Sequence, residues 1–471
     1  MRRRSRSFSP SWLFVAGAAA LLAALVLPDA GQAKKLNCPV PAGQGAPASP
    51  MPLRFGIYPG GPAGSVSAKA SPKPEIPAKR LAALKTLAGS SPFVVRLYSA
   101  WTGDVAADDV GGWLDGEIAG YTAAGLEVEL VVRYKPVAPG GSAPSAFADH
   151  VRRIVRRYGP DSHFVSLQVT NEANLAGAPD AADGAFAGAA EALVEGVIAA
   201  KNEVRRGNHE QLSIGFSWAY DERPAASSEF WARLGRLGGR RFADAVDWVG
   251  LDTYPGTWAP QIPRSNLLPG LAAGAVQESV RSLRDCFMPL AALRASTAVH
   301  IAENGFPTGP GRSEQIQSRV LDAMVRSVDA IRGRYGVTDY RWFDLRDSSS
   351  ADPNIESQYG ITRDDYSPKP AFATYRNLIA RYSSVRGARV ATSADCRRSP
   401  IAVVVPRWKS KRLTSLVVDV GGKVVKRVRR RTPRAVRISM RSGKAAVTLK
   451  LTAQEYGRRL TRVARRTYRV C

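Results

Sequence analysis

Leu53-Arg54-Phe55-Gly56-Ile57-Tyr58-Pro59-Gly60-Gly61-Pro62 is a short apolar, strand-like run that ends between two prolines. It opens a long series in which β-like and helix-like segments alternate, the pattern of a parallel α/β fold. Two architectures share that pattern. An open doubly wound sheet carries a glycine-rich loop after its first strand, whose backbone N–H groups cradle a phosphate. Pro59 and Pro62 remove amides from that turn, so the reading goes to a closed (β/α)8 TIM barrel.

Seven further strand-like runs follow: Phe93–Tyr98, Glu127–Arg133, Val165–Thr170, Leu212–Trp218, Val246–Asp252, Ala298–Ala302 and Asp339–Phe343. Between them lie amphipathic or alanine-rich segments, among them Ala78–Leu87, Phe147–Tyr158, Ala181–Val204, Glu229–Leu237, Val276–Leu293 and Glu314–Arg334, with Pro370–Arg381 after the last strand. Two runs end in a glutamate: Thr170-Asn171-Glu172-Ala173-Asn174 and Ala302-Glu303-Asn304-Gly305. In a parallel barrel the C-terminal strand ends converge on one mouth, where active sites of the fold are built. Two convergent carboxyl groups are the minimum equipment for cleaving a glycosidic bond. Asp252, Asp344 and Asp347 are further strand-end acids and compete for the role of partner.

With the strand ends placed, residues 52–382 resemble the clan of retaining β-glycosidases that share a (β/α)8 barrel, including family-5-like cellulases and mannanases. Asn171-Glu172 matches the clan's Asn-Glu pair at the end of strand four, and Glu303 matches the glutamate ending strand seven, in the run Glu303-Asn304-Gly305-Phe306-Pro307. Arg96, Tyr254 in Gly250-Leu251-Asp252-Thr253-Tyr254-Pro255, and Trp342 match its arginine, tyrosine and tryptophan on strands two, six and eight. Tyr359-Gly360-Ile361 and Ser367-Pro368-Lys369-Pro370-Ala371 resemble its closing segment. The resemblance implies Glu172 as acid/base, Glu303 as nucleophile, and neither metal nor organic cofactor.

The chemistry asks for these residue types. A carboxylate that attacks an anomeric carbon must be ionised, so it needs a cation and donors, here expected from Arg96 and Tyr254. The acid must keep its proton, which partial burial favours. Asn171 is placed to donate to a sugar 2-hydroxyl. Tyr58, Trp101, Trp218 and Trp342 are expected to stack on sugar faces, with Tyr98, Tyr134, Tyr220 and Trp258 also near strand ends.

The rest of the chain bounds this reading. Of 471 residues with a net charge of +27, the stretch Arg397–Cys471 holds 23 Lys/Arg against Asp419 and Glu455, so the barrel is nearly neutral. Residues 397–471 read as an Ig-like β-sandwich after a linker over 383–396, with strand runs Ile401–Val405, Ser415–Val420, Lys423–Val428, Ala435–Met440 and Ala445–Leu451. Lysine and arginine alternate with valine around Lys423–Arg434 and recur over Arg458–Arg469, which places charge on one exposed face. Its expected partner is an anionic cell-envelope polymer. Nucleic acid is disfavoured because few aromatics interleave with the charge.

Arg2, Arg3, Arg4 and Arg6, the apolar run Trp12–Leu27 and the small-residue site Gly31-Gln32-Ala33 read as an export signal over 1–33, followed by an extension over 34–51. The expectation is a secreted or envelope-associated protein without a membrane span after signal removal. Four cysteines suit two disulfides; of the three possible connectivities the first choice pairs Cys396 with Cys471, which would leave Cys38 to Cys286. Four scattered histidines and the lack of any CxxC argue against a zinc site. The expected function is a secreted retaining glycoside hydrolase. The alternative from another class is a barrel without catalysis that binds carbohydrate in the envelope.

Overall fold

The computed structural model describes Cys38 and residues 52–60, 72–104, 111–136, 143–263 and 268–383. In the C-terminal part it describes 401–404, 413–420, 422–429, 435–439, 443–455 and 458–470. The expected signal, most of the extension, most of the linker, Cys396 and Cys471 lie outside the described residues.

Eight parallel strands close into a barrel in chain order: β1 (Arg54–Ile57), β2 (Phe93–Trp101), β3 (Glu127–Tyr134), β4 (Phe164–Val169), β5 (Ser213–Ala219), β6 (Trp248–Thr253), β7 (Ala298–Asn304) and β8 (Val337–Trp342). Closure comes where β1 pairs with β8, Arg54 opposite Asp339 and Ile57 opposite Trp342. The strands are buried on both faces, which is why they read as near-continuous apolar runs. Among the described residues eight α-helices cover them: α1 (Pro77–Ala88), α2 (Gly112–Ala123), α3 (Pro144–Tyr158), α4 (Ala189–Gly207), α5 (Pro224–Ala243), α6 (Leu268–Ser282), α7 (Glu314–Tyr335) and α8 (Pro370–Tyr382). Helices α1, α3, α5 and α8 start on a proline, whose missing N–H has no intrahelical partner to lose. Helix α7 is capped by Ser313 Oγ, which accepts from Ile316 N at 3.2 Å, and is stopped by Gly336 at φ 66°.

The helix expected over Ala181–Val204 starts only at Ala189. Asp183 is drawn out of it: its carboxylate accepts from Tyr134 N and Asn171 N, both at 2.8 Å, and from Arg133 Nε at 2.9 Å. These tertiary bonds outweigh the helical preference of the alanine run. They also tie the segment to the ends of β3 and β4.

The barrel interior is polar along its axis. Arg341 donates to Asp339 at 2.8 Å and to Glu129 at 3.2 Å, and Arg96 donates to Glu129 at 2.7 Å. Burial opposes ionisation of Glu129, yet Arg341 and Arg96 hold its carboxyl down at about 2. Gly56 leaves the space this needs, since a Cβ there would lie 2.7 Å from Arg341 Cδ.

Cys38 is disulfide-bonded to Cys286, in the turn that follows α6. The C-terminal part is a small β unit of two antiparallel sheets, distinct in type from the barrel. One has the order β11 (Lys423–Arg429), β10 (Leu413–Val420), β13 (Gly443–Glu455), β14 (Arg458–Val470); the other pairs β9 (Ile401–Val404) with β12 (Ala435–Ile438). Val403, Leu416, Val418, Val436, Ile438, Val447, Leu449 and Leu451 form its core. Strand β14 was not among the expected runs because arginine dominates it. In β11 the expectation of one charged face needs correcting. Val424 and Val425 are exposed together with Lys423, Lys426 and Arg427, so both faces of this edge strand are open, and its charges discourage further pairing.

Candidate active site

A cleft of about 1020 Å³ opens at the C-terminal ends of the strands, lined among others by Tyr58, Asn171, Glu172, Asp252, Tyr254 and Glu303. Glu303, at the end of β7, is almost fully buried and is held by three donors. Tyr98 Oη donates to its Oε1 at 2.6 Å, Arg96 Nη2 to the same oxygen at 3.2 Å, and Tyr254 Oη to its Oε2 at 2.8 Å. Arg96 is itself aimed by Glu129 and by Gln168 Oε1, which accepts from Nη2 at 2.9 Å, while its Nε donates to Tyr98 Oη at 2.8 Å. Tyr98 thus relays between guanidinium and carboxylate.

Glu172 arrives differently. The chain leaves β4 through a sharp turn with two non-glycine residues in the left-handed region, Thr170 at φ 64° and Glu172 at φ 49°. Such conformations cost on the order of 1 kcal/mol or more each and persist where the surroundings fix them. Here Glu172 N donates to Ser217 Oγ at 3.2 Å, and the Asn171 backbone is pinned by Asp183. Burial raises Glu172 well above the ordinary glutamate value, and the charges of Glu303 and Asp252 add to the effect. Asp252, on β6, is raised by burial and then by Glu303. One oxygen from each of these three carboxyl groups lies within 4.8 Å of the others. That spacing would suit a hard divalent cation, but Arg96 already supplies positive charge at Glu303.

The structure therefore brings together Glu172, Glu303, Arg96, Asn171, Tyr254 and Tyr58. Asn171 reaches the cleft with part of its amide already used, since Nδ2 donates to Ala181 O at 2.9 Å. Three of the expected sugar-stacking rings are elsewhere. Trp101 stacks on Tyr134 at 5.5 Å and meets Phe147 of α3; Trp218 packs on Trp231 of α5; Trp342 is fully buried. Successive strand side chains point to opposite faces, and each tryptophan falls one residue out of phase with the mouth. Arg96 and Tyr98 face inward on β2, so Trp101 turns toward the helices. Arg341 faces inward on β8, so Phe343, not Trp342, reaches the cleft, where it stacks on Tyr58 at 5.0 Å. Asp344 and Asp347 are buried away from the cleft lining, Asp347 paired with Lys369 at 2.8 Å.

Tyr98 as a donor to Glu303 and Phe343 as a lining ring were not read as such from the sequence, whereas Asp252, read there as a strand-end acid competing for the role of partner, joins the two glutamates as a third carboxyl group. The alternation Arg96-Leu97-Tyr98 is the signal that would have paired the first with Arg96 on one face.

No protein-family model and no curated protein matches the chain. Glycoside hydrolases are among the solved structures to which the chain is similar at low identity. A family 39 glycoside hydrolase from Bacteroides cellulosilyticus is 15% identical over 88% of this chain and 79% of that one, with a TM-score of 0.45. A GH5_18 from Bifidobacterium longum subsp. infantis is 13% identical over 70% and 79%, TM-score 0.46. β-Glucuronidase 2 of Bacteroides uniformis is 11% identical over 90% of this chain, TM-score 0.45; the chain spans 46% of that protein's length.

Proposed function

We propose that the protein is an exported retaining glycoside hydrolase with Glu303 as nucleophile and Glu172 as acid/base. The observation that carries the reading is the contrast between two neighbouring carboxyl groups. Glu303 accepts hydrogen bonds from a guanidinium and two phenols, whereas Glu172 is raised by burial and by adjacent negative charge. Oxygens of the two within 4.8 Å of each other fit the short separation of retaining enzymes better than the longer one that leaves room for a water.

In the first step a Glu303 oxygen attacks the anomeric carbon while Glu172 gives its proton to the leaving oxygen. Esterification removes the negative charge of Glu303, one of the causes that raise Glu172, so Glu172 becomes a weaker proton holder when it must act as base. It then takes a proton from water, which attacks the same carbon and releases Glu303. The expected substrate is carbohydrate, and the basic C-terminal unit is read as a tether to anionic envelope polymers.

The test is covalent labelling with an activated fluorosugar. A label on Glu303 in the native protein, lost in Glu303→Gln together with turnover while thermal unfolding is unchanged, is the expected result. Glu172→Gln should lose most activity on poor leaving groups and regain part of it with azide. Substantial glycoside turnover by Glu303→Gln would end the assignment, and a carbohydrate ligand that binds without any label would favour the non-catalytic alternative.

A further inference from the structure

The cleft has a charge pattern opposite to that of the whole chain. Beyond the three carboxyl groups at its centre, its lining adds Asp180, Asp221, Glu222 and Glu356. Among the described residues the lining has two arginines, and each already faces a carboxylate: Arg133 pairs with Asp183 at 2.8 Å and Arg223 with Asp221 at 2.8 Å. An anionic sugar entering this field would find its cations engaged. A cation would be drawn in, because a cleft lined by one sign of charge concentrates the opposite sign.

Glu356 gives that cation a specific place. It sits on a short 3-10 turn, Ile355–Ser357, fixed at its start by Asn354 Oδ1, which accepts from Glu356 N at 3.1 Å. The carboxyl is half-buried, and no described residue donates to it. Burial is the one cause acting on it and raises it to about 7, the response of an acid enclosed without a cation. Glu356 acts electrostatically on Tyr359, and Tyr359 Oη accepts from Trp258 Nε1 at 2.8 Å. That bond fixes an indole left 53% exposed at the mouth. Tyr359 also packs edge-on against Tyr254 at 5.7 Å, and Tyr254 holds Glu303. A continuous path of rings thus joins the surroundings of Glu356 to the reacting carboxylate.

We infer that Glu356 and Trp258 flank a subsite for an amine-bearing sugar, the ammonium set against the Glu356 carboxyl and the apolar sugar face against the Trp258 ring. This specifies the substrate class within the hydrolase reading above and excludes uronic acids from that class. An ammonium would supply the missing partner of a half-buried acid, whereas a hydroxyl would replace only part of the water it displaces.

The test is calorimetric binding of three oligosaccharides of equal length and linkage, built from glucosamine, glucose and glucuronic acid, to the full mature protein, with hydrolysis of the same three followed in parallel. The glucosamine oligomer is expected to bind at least tenfold more tightly than the glucose oligomer, and the glucuronic acid oligomer most weakly. Glu356→Gln should bring the glucosamine oligomer to the level of the glucose oligomer. Equal or tighter binding of the glucose or glucuronic acid oligomer by the native protein overturns the proposal, and so does an amine preference that survives Glu356→Gln. The expected binding order without cleavage of any oligomer would support the subsite and count against hydrolysis, so the two claims fail separately.

Discussion

Glu303 accepts hydrogen bonds from Tyr98, Tyr254 and Arg96, whereas Glu172 lies beside two other carboxyl groups, so one residue type sits in two opposite electrostatic settings. Tyr98 is the clearest single test of that arrangement because its hydroxyl touches both Arg96 and Glu303. A hydrogen bond to a charged group contributes about 1.5–3 kcal/mol. Tyr98→Phe should therefore lower kcat/KM by roughly ten- to a hundredfold; an unaltered rate would remove Tyr98 from the machinery. Asp252 makes a prediction about stability. Burial raises its carboxyl, so the folded state holds a proton that the unfolded chain releases, and stability falls as pH rises above the unfolded value. Asp252→Asn removes that linkage. Denaturant midpoints from pH 4 to pH 8 should fall less steeply for the variant than for the native protein, and parallel curves would show that Asp252 is not the source.

Strand β8 shows how a one-residue phase decides a side chain's task. Trp342 is sealed behind the barrel wall, and Phe343 faces the cleft. Truncating a fully buried tryptophan costs about 3–5 kcal/mol. Trp342→Ala should thus cut stability by that order, read from chemical denaturation, while active-site titration of the surviving folded fraction gives near-native turnover. Phe343→Ala should do the reverse, raising KM severalfold at a smaller cost in stability. If Trp342→Ala weakened substrate binding and Phe343→Ala did not, the assigned phase of β8 would be wrong. The segment before α4 teaches the same lesson in another form. Its alanines favour a helix, but Asp183 finds three donors at the barrel mouth and holds the chain open there.

Charge divides the molecule into two parts. Twenty-three lysines and arginines against two acids lie in residues 397–471, and the cleft of the barrel is acidic. If the C-terminal unit is an electrostatic tether, removing residues 397–471 should abolish salt-sensitive sedimentation with teichoic acid or acidic polysaccharide and leave aryl-glycoside cleavage within about twofold. Binding that persists in the truncated protein, indifferent to salt, would refute the tether. Net charge summed over the chain therefore says little about the cleft: the Coulomb field of exposed groups is screened within about 10 Å at ordinary salt, and the cleft's own lining carries its acidic groups.

The amino-acid order carried the alternation of eight strands, the two prolines after the first, and the two glutamates that end strands four and seven, because periodicity and turn chemistry are local properties of the chain. It also carried Arg96 and Tyr254, each near the end of its own strand. Folding alone determined which face of each strand looks into the mouth, and so exchanged Trp342 for Phe343, turned Trp101 and Trp218 toward the helices, and made Tyr98 a donor rather than a stacking ring. It likewise brought Asp252 beside Glu172 and Glu303 and left Glu356 with no donor among the described residues. A strand's two faces are equivalent until neighbouring strands and helices fix its phase, and an acid's proton affinity depends on charges that sequence distance does not reveal.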